Sequence, residues 1–130
     1  MTILLVDDHQ PTREEMRALV ERQPDMTVLA EAPTGEDAVA QTRALHPDIV
    51  IMDILLPGMN GVEATRAICA ENPGIKVLAL SNHSGESLVQ AILAAGGKGY
   101  VQKSRAFEEL IPALLAVAAG RQYFDKPAIG

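Results

Sequence analysis

Five short strand-forming runs, Ile3–Val6, Thr27–Glu31, Ile49–Met52, Val77–Leu80 and Gly99–Val101, alternate with longer segments of helical spacing. This alternation constrains the fold more than any other feature of the chain. Runs such as I-V-I-M and V-L-A-L are apolar at every position, so both faces of these strands must be covered. The segments between supply the covers. Met16, Leu19 and Val20 form one stripe, and Ala38, Val39, Thr42 and Leu45 a second. Val62, Thr65, Ile68 and Cys69 form a third, and Leu88, Ala91, Ile92 and Ala95 a fourth. Phe107, Leu110, Leu114 and Val117 complete the set. Five such strand–helix units predict an α/β fold, a doubly wound open parallel sheet with right-handed crossovers. The 130 residues suit one domain with a substantial core. With two Tyr, two Phe and no Trp, that core must be aliphatic and Met-rich.

Local punctuation agrees with this division. Thr34 with Asp37, and Asn60 with Glu63, have the pattern of an N-cap with an acid three residues on. Ser84 and Ser104 are further cap candidates, while Gly96 and Gly120 stand where helices should end. Pro112 conflicts with its surroundings: inside the last helical pattern it removes a backbone donor and should kink the helix.

Open parallel sheets bind ligands beyond the carboxyl ends of their strands, where strand order reverses. Asp7 and Asp8 end the first strand, Asp53 the third, Ser81 the fourth and Lys103 the fifth. Three carboxylates, a hydroxyl and an ammonium thus converge on one rim. Two carboxylates about 4 Å apart repel by roughly 4 kcal/mol at an effective dielectric of about 20. A divalent cation between them offsets that, and Mg2+ is suited because it binds through one or two carboxylates and completes its shell with water and phosphate. Asp53 precedes the turn-rich loop I-L-L-P-G-M-N-G and is placed to act as a nucleophile towards phosphorus. Lys103 would neutralise phosphoryl oxygens and Ser81 donate to them. Alone, an acid pair at a strand end is more often a solvated loop or a cap; the joint occurrence on four strand ends favours a site.

Other classes find less support. Formal net charge is −6, from 17 acids against 11 bases, which opposes direct nucleic-acid binding by this domain. A single cysteine, Cys69, allows neither an internal disulfide nor a cysteine zinc cage, and points to reducing cytosol. Cys69 itself reads as a small core residue. No apolar stretch approaches the ~20 residues of a membrane span, and the N-terminal apolar run is too short for a signal peptide. His9, His46 and His83 lack the spacing of helical metal ligands and read as exposed loop residues. Tyr100 is equally compatible with plain packing.

The motifs V-D-D-H, I-V-I-M-D-I-L-L-P-G-M-N-G, A-L-S-N-H and G-Y-V-Q-K-S together resemble the receiver domain of two-component response regulators, over Ile3 to about Gly120. D-D-H and S-N-H resemble the nitrate-regulator subfamily, whose receivers precede a LuxR-type helix-turn-helix output domain. The tail A-A-G-R-Q-Y-F-D-K-P is similar to the start of that subfamily's linker. The resemblance implies a flavodoxin-like (βα)5 sheet of order 2-1-3-4-5, a receiver over 1–120 and a linker over 121–130 leading to a DNA-binding domain outside this chain. It implies Asp53 as phosphoacceptor and Mg2+ held directly by Asp8, by Asp7 nearby or through water, by Asp53 and by the Leu55 carbonyl. Lys103 matches the family's lysine, and Ser81 and Tyr100 its switch pair: Ser81 moves towards the phosphate and Tyr100 turns into the vacated space. Leu55 and His83 occupy variable positions that shape water access, and an apolar Leu55 implies slow self-dephosphorylation. Asn82 is larger than the residue many relatives carry, with consequences for access to Asp53. The implied partners are a sensor histidine kinase, a second copy on phosphorylation, and DNA only through the output domain.

A stand-alone receiver acting through protein contacts is the alternative. A phosphatase of the haloacid dehalogenase type needs an acid two residues after its nucleophile; here Leu55 follows Asp53 and His9 follows Asp7. The chain therefore reads as a cytoplasmic phosphoacceptor signalling domain rather than an enzyme.

Overall fold

The computed structural model describes residues 1–83 and 85–124. Strands β1 (Thr2–Val6), β2 (Thr27–Ala32), β3 (Ile49–Asp53), β4 (Lys76–Ser81) and β5 (Gly99–Gln102) alternate with helices α1 (Gln10–Glu21), α2 (Gly35–Leu45), α3 (Gly61–Glu71), α4 (Glu86–Ala95) and α5 (Ala106–Ala118). A short 3-10 turn, Lys103–Arg105, joins β5 to α5, and a two-residue strand β6, Tyr123–Phe124, closes the described chain. All pairings are parallel and the order is β2-β1-β3-β4-β5-β6. The five expected units are present, each strand one or two residues longer than the apolar runs alone indicate.

The strands sort their side chains by parity. Ile3, Leu5, Ile49, Ile51, Leu78, Leu80 and Val101 pack with Met16, Leu19 and Val20 of α1 and Leu110, Leu114 and Val117 of α5. Leu4, Val6, Val50, Met52 and Val77 meet Ala38 and Val39 of α2 and Ala64 and Ile68 of α3. A third cluster, Ile54, Ala79, Ile92 and Tyr100, lies against α4. Every residue of β3 is buried, as expected of a central strand covered on both sides. Burying each of these Leu or Ile side chains contributes about 1.5–3 kcal/mol, so the middle of the sheet is the rigid platform on which the rim residues stand.

The stripes are narrower than the sequence pattern. Leu45 is 40% exposed at the last turn of α2, and Phe107 is 69% exposed because α5 turns Ala106 and Leu110 to the core instead. Val62, Cys69, Leu88 and Ala91 are half-buried. Thr34 and Asn60 cap α2 and α3, their side chains accepting from the Asp37 and Glu63 amides. Ser104 does not cap: it lies within the 3-10 turn, and α5 starts after Arg105 without a side-chain cap. Ser84 lies outside the described residues. Gly96 ends α4 and Gly120 follows α5, both with positive φ. The helix α5 runs through Pro112, which faces outward on the exposed side.

The one addition to the topology is β6. Tyr123 and Phe124, expected within a linker, belong to the sheet: Gly99 pairs with Tyr123 and Tyr100 with Phe124. A Cβ on Gly99 would stand 2.8 Å from the Tyr123 carbonyl oxygen and 2.6 Å from Leu78 Cδ1, so glycine is what admits the sixth strand. Phe124 then packs on the cluster that contains Tyr100. Residues 125–130 of the expected linker lie outside the described residues.

Candidate functional site

The carboxyl ends of β1 and β3 and the 3-10 turn after β5 meet as the strand order requires. Asp7 and Asp53 are buried, 1% and 2% exposed, whereas Asp8 is exposed. Lys103 Nζ stands 2.9 Å from Asp7 Oδ2 and 3.1 Å from Asp53 Oδ2. The carboxylate oxygens of Asp7, Asp8 and Asp53 lie within 4.8 Å of one another. Asp8, Asp53, Leu55, Asn82 and Lys103 line an open cleft of about 540 Å3.

Backbone donors hold the buried acids in place. Asp7 Oδ1 accepts from the His9 amide at 2.8 Å, and Asp53 Oδ1 accepts from the Leu55 amide at 3.3 Å. Below Asp53 the start of α3 is pressed against the strand end: the Gly61 amide donates to the Ile54 carbonyl at 2.8 Å. A Cβ at Gly61 would lie 2.2 Å from the Asp53 carbonyl oxygen, which explains the second glycine of I-L-L-P-G-M-N-G.

The electrostatics are unbalanced. Burial, and then the neighbouring charge of Asp7, push the Asp53 carboxyl up to about 6, with Lys103 and the Leu55 amide giving partial relief. Burial opposes the charge on Lys103, but hydrogen bonds and charge from Asp7 and Asp53 outweigh it and hold the ammonium above its ordinary range. One ammonium faces three acids. The donor set is hard oxygen, it is open to a cleft, and it carries excess negative charge, so these residues could hold a hard divalent cation.

Ser81 is buried at the end of β4, and its hydroxyl accepts from the His83 amide at 3.0 Å. It accepts that bond, so its own proton stays available to donate. The Tyr100 hydroxyl donates to the His83 carbonyl. One residue's backbone therefore receives both side chains. Tyr100 is already 1% exposed, packed with Ile54, Ala79 and Ile92. In this inward position the His83 carbonyl satisfies the hydroxyl.

Leu55 is 57% exposed at the cleft, and His46 and His83 are exposed as expected. His9 is exposed too, yet it lines the cleft, its Nδ1 2.6 Å from Thr12 Oγ1. Cys69 is half-buried beside the Gly96 carbonyl. Sequence reasoning missed Arg13, whose Nη1 donates to the Asp7 carbonyl at 2.6 Å. Its only sequence signal is a place one helical turn after D-D-H.

Residues 3–115 match the family model of the response regulator receiver domain. The chain belongs to that family. It is 40% identical over 121 residues to the transcriptional regulatory protein DegU of Brevibacillus brevis, covering 93% of this chain and 51% of that protein. It is 37% identical over 123 residues to the response regulator UvrY of Escherichia coli K12, covering 95% of this chain and 56% of UvrY. The receiver thus spans about half the length of these curated relatives. A crystal structure of a LuxR-family two-component response regulator from Aurantimonas sp. SI85-9A1 superposes with a TM-score of 0.91 at 42% identity, covering 94% of this chain and 87% of that one. Among the described residues of the receiver no helix is long and apolar enough to cross a membrane.

Proposed function

We propose that this receiver is controlled by phosphorylation of Asp53 and that it governs a transcriptional output carried by a DNA-binding domain outside the chain. The observation that carries the reading is the meeting of Asp53 with Lys103 at 3.1 Å inside a cluster of three carboxylates at the mouth of an open cleft. The phosphoryl donor is a phosphohistidine on a sensor kinase. An Asp53 carboxylate oxygen attacks phosphorus, the O–P bond forms as the N–P bond breaks, and the imidazole nitrogen leaves with the electron pair. Lys103, already bound to both buried acids, turns its charge to the phosphoryl oxygens. Ser81 donates its free proton to the same oxygens. Asp7, Asp8, Asp53 and the Leu55 carbonyl would hold Mg2+, which when bound neutralises charge on the transferring group.

The phosphorylated product carries about −1.5 to −2 charge where Ser81 and the His83 backbone meet. A charge-assisted hydrogen bond of roughly 1.5–3 kcal/mol drawing Ser81 away from the His83 amide shifts a two-state equilibrium by one to two decades. Tyr100 reads that shift through the His83 carbonyl, and the surface of α4 and β5 transmits it. DegU-like relatives are transcriptional regulators by name, which supports the output assigned here. An apolar, exposed Leu55 orients no hydrolytic water, so the acyl phosphate is long-lived.

The test is intact mass after incubation with acetyl phosphate, with and without Mg2+, for the wild type and Asp53→Asn. A Mg2+-dependent gain of one phosphoryl mass confined to the wild type supports the assignment. Phosphorylation that persists in Asp53→Asn names a different nucleophile.

A further inference from the structure

The acid pair of β1 is held by something that none of the motifs contains. After Val6 the ladder between β1 and β3 ends, so the Asp7 carbonyl has left the sheet. Its amide still donates to the Ala32 carbonyl of β2 at 3.1 Å. Its carbonyl accepts from Arg13 Nη1 at 2.6 Å, across the first turn of α1. Arg13 is itself held: Nε lies 3.0 Å from Glu31 Oε1, near the end of β2, and its side chain is only 15% exposed. The other Glu31 oxygen takes Arg17 Nη1 at 2.8 Å.

That carbonyl belongs to the same planar peptide as the Asp8 amide. Whatever fixes it fixes the plane from which Asp8 departs. The Asp8 carboxylate makes no hydrogen bond or ion pair with the described residues, so its direction depends on the backbone alone. Asp7 differs: its side chain is pinned by the His9 amide and by Lys103.

We propose that Arg13 is a positioning residue for cation binding, clamping the Asp7–Asp8 peptide so that the Asp8 carboxylate faces Asp53, with Glu31 holding the clamp. The inference rests on reading the acidic cluster as a Mg2+ site. It has a sign that a purely electrostatic role lacks. A guanidinium near a cation site weakens binding by repulsion, so deleting it tightens binding if charge is all that matters. Deleting a clamp loosens binding, and groups that orient metal-ligating carboxylates typically account for 10–100-fold in affinity. A bare staple between α1 and β2 would be served as well by Arg17, which grips the same Glu31 and does not touch Asp7.

The experiment is Mg2+ titration of the 130-residue chain followed by amide NMR shifts, for the wild type, Arg13→Ala, Arg13→Lys, Arg17→Ala and Glu31→Gln. Arg13→Ala should weaken Mg2+ binding about tenfold or more and move the Asp8 amide resonance before any metal is added. Arg13→Lys should fall between, because an ammonium cannot fork to both the Asp7 carbonyl and Glu31. Glu31→Gln should weaken binding less than Arg13→Ala, and Arg17→Ala should stay within twofold of the wild type. Unchanged or tighter binding in Arg13→Ala overturns the proposal, and so does an equal loss in Arg17→Ala. If Arg13→Ala does not fold, Arg13→Lys takes its place: weaker binding with Arg17→Ala within twofold of the wild type supports the clamp, and unchanged or tighter binding overturns it. A wild type whose amides ignore Mg2+ overturns the cation reading itself, and this inference with it.

Discussion

Replacing Asp53 by Asn should make the metal-free receiver more stable, although it removes the residue the site is built around. Asp53 is buried beside Asp7, and its carboxyl is pushed from an ordinary 3.8 up to about 6. That displacement corresponds to about 3 kcal/mol between the ionised and neutral forms. The sign follows from proton binding. Between about pH 4 and pH 6 the folded state holds this proton longer than the unfolded chain, so its contribution to stability falls as pH rises through that window. Above about pH 7 both states are ionised and the folded state bears the whole penalty. Asn has the shape of the carboxyl without its charge and escapes it. With EDTA at pH 8, Asp53→Asn should gain up to about 3 kcal/mol, a shift in urea midpoint of about 1–2 M read by far-UV circular dichroism. At pH 5 the gain should be about half as large, and at pH 4 below about 1 kcal/mol. Saturating Mg2+ should narrow the difference at pH 8, because the wild type gains about 2.7 kcal/mol at a hundred times its Kd. A variant no more stable than the wild type at pH 8 in EDTA would refute the reasoning. So would a gain that stays undiminished at pH 4, since it would have nothing to do with the charge.

Gly99→Ala should expel β6: the new Cβ meets the Tyr123 carbonyl oxygen at 2.8 Å, and the Tyr123 amide, which donates to the Lys98 carbonyl at 3.0 Å, should lose its hydrogen-exchange protection while Val77–Leu80 keep theirs. Overpacking against Leu78 should lower global stability by about 1–3 kcal/mol. Asp48 accepts from the Thr2 amide at 2.8 Å and the Thr2 hydroxyl at 3.0 Å, and these bonds hold its carboxyl below the usual range. Asp48→Ala should therefore cost about 1 kcal/mol in urea unfolding at pH 7, and the deficit should shrink as pH falls below the ordinary carboxylate range. Ser81→Ala should accept phosphate from acetyl phosphate more slowly and shift the His83 amide resonance in the unphosphorylated protein, since that amide loses its acceptor.

Much of the fold was legible because parity and periodicity are local. An all-apolar I-V-I-M can be satisfied only by covers on both sides, and Thr34 and Asn60 announce helix starts through their own side chains. The rim was legible for the same reason: a residue that follows an apolar run stands at the end of a strand. What the chain hid is what depends on distance between segments. β6 is two residues long, too short to show alternation, and its place is set by the missing side chain of Gly99. The exposure of Phe107 follows from which way α5 rolls onto the sheet, and neighbouring Ala106 fills the core position. Arg13 reaches a main-chain carbonyl, and a carbonyl has no signature in sequence.

Of these hidden contacts, the one made by Arg13 bears on the acidic cluster. Three carboxylates face one ammonium, and backbone amides restrain the two buried ones, His9 on Asp7 and Leu55 on Asp53, while Arg13 bonds to the main-chain carbonyl between Asp7 and Asp8. Relaxation would relieve the repulsion most simply by turning one acid away to water. For buried Asp7 and Asp53 these bonds prevent it, so burial first, and then the charge of Asp7, keep the Asp53 carboxyl raised in the folded state. A site held in this way is relieved only by something that brings positive charge or removes negative charge. A cation does the first and protonation the second, which is why stability should respond to Mg2+ and to acid in the same direction. Lys103 belongs to the same balance, because its contact with Asp7 and Asp53 is a favourable one that a new anionic group on Asp53 must compete for.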